Sequence, residues 1–288
     1  MAKRQMTDKL SPAAALWRFL GRQKEGRIPA WLKNSARRKF SRGQRGKFIL
    51  CRTTPGFQIQ CRIGDPLDNM IYFDGEFEAE LRMSLERLAP TISTVVDVGC
   101  NIGYVSCLLA WLTGGRARIL SLDPNPEMIL RCEANLKLNG FPAEVSTCAA
   151  GRVEEVRAFH VPKHRPSFAS FGQLTHDCEE IQVPVRRLDH LAQEKGLAEI
   201  DLLKIDVEGF EPEVLGGLGD LRVKNIYLEF SPRNLKQCGF SPDDLWGLPL
   251  WKNYRLALIE TGTARPIYFE PGAPIGGQTE IVWAQAVF

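Results

Sequence analysis

Long apolar runs are missing from this chain. None of its 288 residues belongs to a stretch approaching the ~18 apolar residues of a membrane span, and the N-terminus lacks the apolar core of a secretion signal. A cytoplasmic protein is expected. Paired cysteines are missing too: Cys51, Cys61, Cys100, Cys107, Cys132, Cys148, Cys178 and Cys238 form no Cys-x-x-Cys pair, so reduced thiols are expected. Histidine is scarce, with four in the chain (His160, His164, His176, His190), and none sits in a motif. There is no internal repeat, no dinucleotide pattern Gly-x-Gly-x-x-Gly, and no Asn/Asp-Pro-Pro-Tyr element of the kind that presents base amines.

What is present is ordinary in amount and uneven in placement. A content of 44% hydrophobic and 25% charged residues suits a soluble protein large enough for one catalytic domain plus an appendage. Residues 1–48 hold fourteen Lys or Arg against Asp8 and Glu25, a net of +12, which leaves −9 for the other 240 of a chain whose total is +3. Such a segment can be solvated or self-packed, lie on an anionic membrane surface, or meet nucleic acid. Leu16, Trp17, Phe19 and Leu20 form an apolar patch among its cations and favour a membrane surface or a partner groove. Few aromatics interleave the later arginines, so a stacking platform for single strands is poorly supported.

Chemistry concentrates in two segments about a hundred residues apart. In Val95-Val96-Asp97-Val98-Gly99-Cys100-Asn101-Ile102-Gly103-Tyr104-Val105-Ser106 an apolar strand enters a glycine-containing turn, and an amphipathic helix follows through Val105, Leu108, Leu109 and Leu112. This is the first β-α unit of a nucleotide-binding half. Gly99 and Gly103 would let the main chain pass close to a ligand. The Gly-x-x-x-Gly spacing favours a smaller nucleoside over a pyrophosphate cofactor. The next strand ends at Asp123, twenty positions beyond Gly103, where a carboxylate can accept both ribose hydroxyls. Pro124 and Pro126 stiffen the turn, and the helix after it stops at Asn139-Gly140.

The second segment is Asp201-Leu202-Leu203-Lys204-Ile205-Asp206-Val207-Glu208-Gly209-Phe210-Glu211. Its apolar residues suit a strand covered on both faces, and Asp206 and Glu208 fall at the carboxyl end, where open α/β sheets bind ligands. Further strands are expected at 144–149, 156–161, 181–186, 225–230, 254–259 and 279–287. Residues 162–180 read as an irregular insertion, and Ser241-Pro242 reads as a helix start.

The segments VVDVGCNIGYVS, LDPNPEMILRCEANLKLNG and DLLKIDVEGFEPEVLGG resemble the FkbM family of S-adenosylmethionine-dependent methyltransferases, over roughly residues 70–235. Phe73-Asp74-Gly75-Glu76-Phe77-Glu78 is loosely similar to the family's aromatic-Glu step, and Val183–Asp189 to its Leu-Asp element. The resemblance implies an α/β Rossmann-like class I methyltransferase, with a mostly parallel doubly wound sheet and an antiparallel last strand. It implies S-adenosylmethionine as cofactor, held by Glu78, Asp97, Gly99, Cys100, Asn101, Gly103, Asp123 and Asn125, with Asp97 toward the amino-acid part of the cofactor. Asp97 could instead cap the following helix. Cys100 lies in the turn where alkylation could block binding. The expected organisation is a basic extension over 1–48, a lead-in over 49–90 and the methyltransferase domain over 91–288.

Asp206, Glu208 and Glu229 end two strands expected to neighbour each other. Three carboxylates at one edge need a reason, because isolated buried charges are costly. They could act as general base, bind sugar hydroxyls or a divalent cation, or pair structurally with Lys204 or Arg233. The first two are favoured, and His164 and His176 are alternative bases. Members of the family the chain resembles methylate oxygen on sugars of glycans and glycolipids and on polyketide-type products. The expected function is therefore O-methylation of a saccharide, glycolipid or related hydroxyl. A nucleic-acid methyltransferase and a non-catalytic cofactor-binding module are the alternatives.

Overall fold

A computed structural model describes residues 11–23, 26–163, 169–172, 177–273, 275 and 279–287. His164 and His176 lie outside them. The chain divides into two compact units, residues 1–77 and 78–288.

In the first unit, helix α1 (Pro12–Gly21) starts where the Ser11 hydroxyl accepts a hydrogen bond from the Ala14 N–H at 3.2 Å. Helix α2 (Ala30–Gln44) comes next, then the antiparallel hairpin of β1 (Phe48–Arg52) and β2 (Gln58–Arg62), then α3 (Pro66–Asp74). The core is aromatic. Phe40 of α2 stacks on Tyr72 of α3 at 5.2 Å between centroids, and Phe73 meets both rings edge-on. Arg22 Nε donates to the Tyr72 carbonyl at 2.9 Å, and Arg37 pairs with Asp74 while donating to the Gly21 carbonyl. The described part of the basic segment, residues 11–23 and 26–48, therefore packs through α1 and α2 with residues 49–77. The compact unit closes at Phe77, not at 48 or 90, because Phe40 is buried against Tyr72 and Phe73 of α3.

The second unit opens with α4 (Ala79–Leu88) and is built on an eight-stranded sheet. In chain order its strands are β3 (Thr94–Val98), β4 (Arg118–Asp123), β5 (Glu144–Thr147), β9 (Glu199–Ile205), β10 (Arg222–Phe230), β11 (Tyr254–Ile259), β12 (Pro266–Phe269) and β13 (Glu280–Ala286). The spatial order is β12-β11-β13-β10-β9-β3-β4-β5, with β10, β9, β3, β4 and β5 parallel. The last strand, β13, runs antiparallel between β10 and β11, as expected of the fold. Both faces are covered. Val96, Val98, Leu120, Leu122, Leu203 and Ile205 are buried on one face and Val95, Ile119, Ser121 and Leu202 on the other, so these strands show no in-out alternation.

Helices α5 (Tyr104–Leu112) and α6 (Pro126–Leu138) connect β3, β4 and β5. The chain then returns to β9 on the other side of β3, which makes the β3/β9 boundary the switch point where open α/β sheets place ligands. The expected strand over 144–149 splits: Cys148 interrupts it, and β6 (Ala149–Ala150) joins a separate three-stranded sheet with β7 (Glu155–Pro162) and β8 (Cys178–Arg186). The strands expected at 156–161 and 181–186 are present in β7 and β8, paired antiparallel with Phe159 opposite Ile181, and of residues 162–180 only Pro162 and Cys178–Glu180 are seen to extend them. β12 was not expected. Among the described residues no helix is long and apolar enough to cross a membrane.

Candidate active site

Helix α5 begins after a turn that only glycine can make at two points. Gly99 and Gly103 have φ of +76° and +80°. A Cβ on Gly99 would lie 1.8 Å from the Asp206 carbonyl oxygen, and one on Gly103 would lie 2.6 Å from Cys132 Sγ. The space these glycines leave is filled by the chain itself, so their first task is to let β3, β9 and α6 close on one another. Gly99 still lines the cleft that results.

The turn is tied to the end of β4 through Asp123. One carboxylate oxygen accepts from the Asn101 N–H at 2.9 Å and the other from the Asn125 N–H at 2.8 Å. Burial pushes this carboxyl up to about 6, against those two donors. Each oxygen keeps acceptor capacity for a further hydroxyl. Asn125 caps α6 through its side-chain oxygen, 3.0 Å from the Glu127 N–H, while its buried Nδ2 has no hydrogen-bond partner among the described residues. An orphaned donor beside a half-used carboxylate fits a polar ligand.

The cleft beside this turn spans about 610 Å³, a volume that includes the open space at its mouth. Asn101, Asp123, Asp206 and Glu208 supply its polar edge. Phe159, Phe171 and Phe210 supply an apolar wall, with Phe171 4.9 and 4.4 Å from the other two ring centroids. This wall was not anticipated from the sequence, since its rings come from β7, the insertion and the turn after β9, and only the fold joins them.

Asp206 follows β9, held by its N–H to the Val98 carbonyl at 3.1 Å. Lys204, in register with Asp97 on β3 and Tyr227 on β10, buries its ammonium behind it. That ammonium donates to the Gly99 carbonyl at 3.1 Å and pairs with Asp206 at 3.2 Å and Asp97 at 3.5 Å. Burial opposes the charge of Lys204, but Asp206, Asp97 and Glu78 hold its pKa above the ordinary lysine value. Asp97 is wholly buried and also accepts from Ser106 at 2.6 Å. It therefore meets the site through Lys204 and Ser106 rather than at the cleft surface.

The expected convergence of Glu208 and Glu229 on Asp206 is present, but on two sides. Glu208 lies on the large cleft, accepts from Asn234 Nδ2 at 2.6 Å, and is pushed up to about 8 by burial and then by Asp206. Glu229 shares a second, smaller cleft of about 240 Å³ with Glu78, Lys204 and Asp206. Burial, then Asp206, to which it is hydrogen-bonded, pushes Glu229 up to about 11. Burial and then Asp206 push Glu78 up to about 7. Glu78 begins α4 without capping it by a side-chain bond, so its carboxyl is not spent on the helix. Asp206 is the one of these carboxylates that lines both clefts. Glu78, Asn101 and Glu208 have φ of +49°, +50° and +52°, in the left-handed region that side chains other than Asn seldom take.

Cys100 does not fit the reactive part expected of it. It is buried, hydrogen-bonded to Cys132, and burial pushes its thiol well above the usual range, so little thiolate forms. His190 is exposed beside Glu154, at 3.1 Å, away from these groups. None of the eight cysteines is disulfide-bonded.

Residues 97–256 match the Methyltransferase FkbM domain. The chain is 28% identical to Methyltransferase 1 of Beauveria bassiana over 46% of its own length and 60% of that protein's. It is 28% identical to the 2-O-methyltransferase NoeI of Sinorhizobium fredii, over 52% of this chain and 67% of the relative. With the 31-O-demethyl-FK506 methyltransferase FkbM of Streptomyces tacrolimicus it shares 29% over 47% and 64%. The match spans the turn at Gly99, the carboxylate of Asp123 and the switch-point residues Lys204, Asp206 and Glu208, and so the chain belongs to the FkbM family of S-adenosylmethionine-dependent methyltransferases.

Proposed function

We propose that this protein transfers a methyl group from S-adenosylmethionine to a hydroxyl of a saccharide, glycolipid or related natural product. The observation that carries the reading is Asp206, a carboxylate at the switch point that lines both clefts and is paired with a buried lysine. A hydroxyl acceptor must lose its proton as it is methylated, and a positioned base is worth roughly 10²–10⁴-fold. Two relatives are named as O-methyltransferases or for an O-demethylated substrate, which supports oxygen as the acceptor atom.

Asp123 would hold the ribose hydroxyls, Asn101, Gly99 and Asn125 would line the cofactor's bed, and Glu78 and Asp97 would face its amino-acid part through the cluster around Lys204. When bound, the cofactor supplies an already activated methyl group, so the protein's work is alignment and exclusion of water. Asp206 accepts the acceptor's proton. Glu229 keeps its own proton at neutral pH and donates to Asp206, orienting it. Glu208, anchored on Asn234, presents a further hydrogen-bonding group to the acceptor. The Phe159–Phe171–Phe210 wall suits the apolar face of a sugar ring.

The test is transfer of labelled methyl to a panel of glycans, glycolipids and nucleic acids. Label on a saccharide or glycolipid oxygen is expected. Label on nucleic acid alone would replace the acceptor class. Binding of S-adenosylhomocysteine with no transfer to any member would favour a non-catalytic cofactor-binding module.

A further inference from the structure

The charge asymmetry of the sequence persists, slightly reduced, across the division of the fold. Residues 1–77 hold sixteen Lys or Arg against six Asp or Glu, a net of +10, which leaves −7 for 78–288. Within the first unit the cations split into two groups. Arg22, Lys33 and Arg37 are used internally, on the Tyr72 carbonyl, Asp74 and the Gly21 carbonyl. Arg38 and Arg42 are exposed and make no ion pair with any described residue.

Helical geometry places the second group with apolar side chains. In α2 the buried residues are Ala36 and Phe40, and Trp31, Asn34, Arg38 and Arg42, at steps of three, seven and eleven from Trp31, occupy the opposite face. In α1 the buried residues are Ala14 and Gly21, seven apart, and Leu16 and Phe19 lie across the helix from them. Phe19 and Trp31 are 63% and 70% exposed, so each keeps most of its apolar surface available for burial against a partner. Lys39 sits over the Trp17 ring at 4.4 Å, which keeps another cation on the same two helices.

We propose that the outward faces of α1 and α2 dock on the surface of an anionic lipid bilayer, with Arg38 and Arg42 at the headgroup phosphates and Leu16, Phe19 and Trp31 in the interface. Cations without an ion-pair partner among the described residues, together with exposed large apolar side chains on one helix pair, are the combination a membrane surface rewards, and tryptophan favours the headgroup level. Nucleic acid would satisfy the cations and leave Leu16 and Phe19 in water. The docking does not depend on the acceptor proposed above, since it is read from the other unit.

The experiment is co-sedimentation of the full-length protein with vesicles of phosphatidylcholine alone and of phosphatidylcholine with phosphatidylglycerol. Association with the anionic vesicles only, falling as salt rises, is expected. The double variant Arg38→Glu/Arg42→Glu should weaken it at least about thirtyfold, and Trp31→Ala about tenfold. S-adenosylhomocysteine binding and the melting temperature of both variants should match the unaltered protein, showing that the fold is intact. Equal binding to neutral vesicles, no binding to either kind, or unchanged binding by the arginine variant would overturn the proposal. Tighter binding to duplex or single-stranded nucleic acid at the same salt would overturn it in favour of that partner.

Discussion

Single residues carry the sharpest consequences at the carboxylates. In its proposed role Asp123 is a full acceptor for ribose hydroxyls only when ionised, and its carboxyl is pushed up to about 6. Affinity for S-adenosylhomocysteine, measured by calorimetry, should therefore fall as pH drops from about 7 to about 5. Asp123→Ala should remove that dependence and weaken binding by about 1–3 kcal/mol. Asp206→Asn should cut turnover by roughly 10²-fold or more with cofactor affinity little changed, because it removes the proposed base and leaves the proposed ribose contacts. Full turnover in that variant with normal melting would leave Asp206 a purely structural partner of Lys204. Glu211 bears on stability instead. Its buried carboxyl accepts from the Gly209 N–H at 3.1 Å, yet burial pushes it up to about 7. A carboxyl raised in the folded state favours folding below its ordinary value and loses that contribution as pH rises through the folded value. The window from 4.5 to about 7 corresponds to about 3 kcal/mol at most. Melting temperature should fall across it, and Glu211→Gln should flatten the slope.

Elements explain which of these residues could be read from the sequence and which could not. Asp123 was legible because two strands, one glycine turn and a spacing of twenty place it at a strand end, and that is local information. The nearness of Asp206 and Glu229 was legible because their strands are consecutive parallel neighbours, and β9 and β10 do pair in that way. The smaller cleft was not, since Glu78 comes from a helix start more than a hundred residues before Lys204. The glycines were half legible: their need for positive φ was, but what fills the space was not, because Asp206 and Cys132 arrive from other elements. Gly99→Ala should accordingly cost about 3 kcal/mol or more, since the Asp206 carbonyl is main chain and cannot swing aside. Chemical denaturation would read that loss. The start of the helix Pro242–Trp246 was legible from Ser241 and Pro242, and the structure adds that the Asp244 carboxylate caps it reciprocally. Ser241→Ala should cost about 1 kcal/mol without touching cofactor binding.

For the whole molecule, the sequence suggested a basic extension ending near residue 48, because charge is summed along the chain while packing is not. Only two well-buried side chains, Ala36 and Phe40, mark α2 as part of a core, and two positions four apart are too faint a pattern among its many cations. The aromatic partners of Phe40, Tyr72 and Phe73, lie beyond the charge boundary. A deletion of residues 1–48 therefore does more than remove charge. It strips Phe40 from Tyr72 and Phe73, and removes the arginines that bond the Tyr72 carbonyl and Asp74. Residues 49–77 should then become susceptible to limited proteolysis, because the surviving hairpin and α3 keep too little apolar surface to stay folded. The proposed cofactor residues all lie in 78–288, which has its own core, so the same truncated protein should still bind S-adenosylhomocysteine within a few-fold of the intact chain. Protection of 49–77 in the truncated protein would return the domain boundary to residue 48. Loss of cofactor binding would instead show that the second unit needs the first.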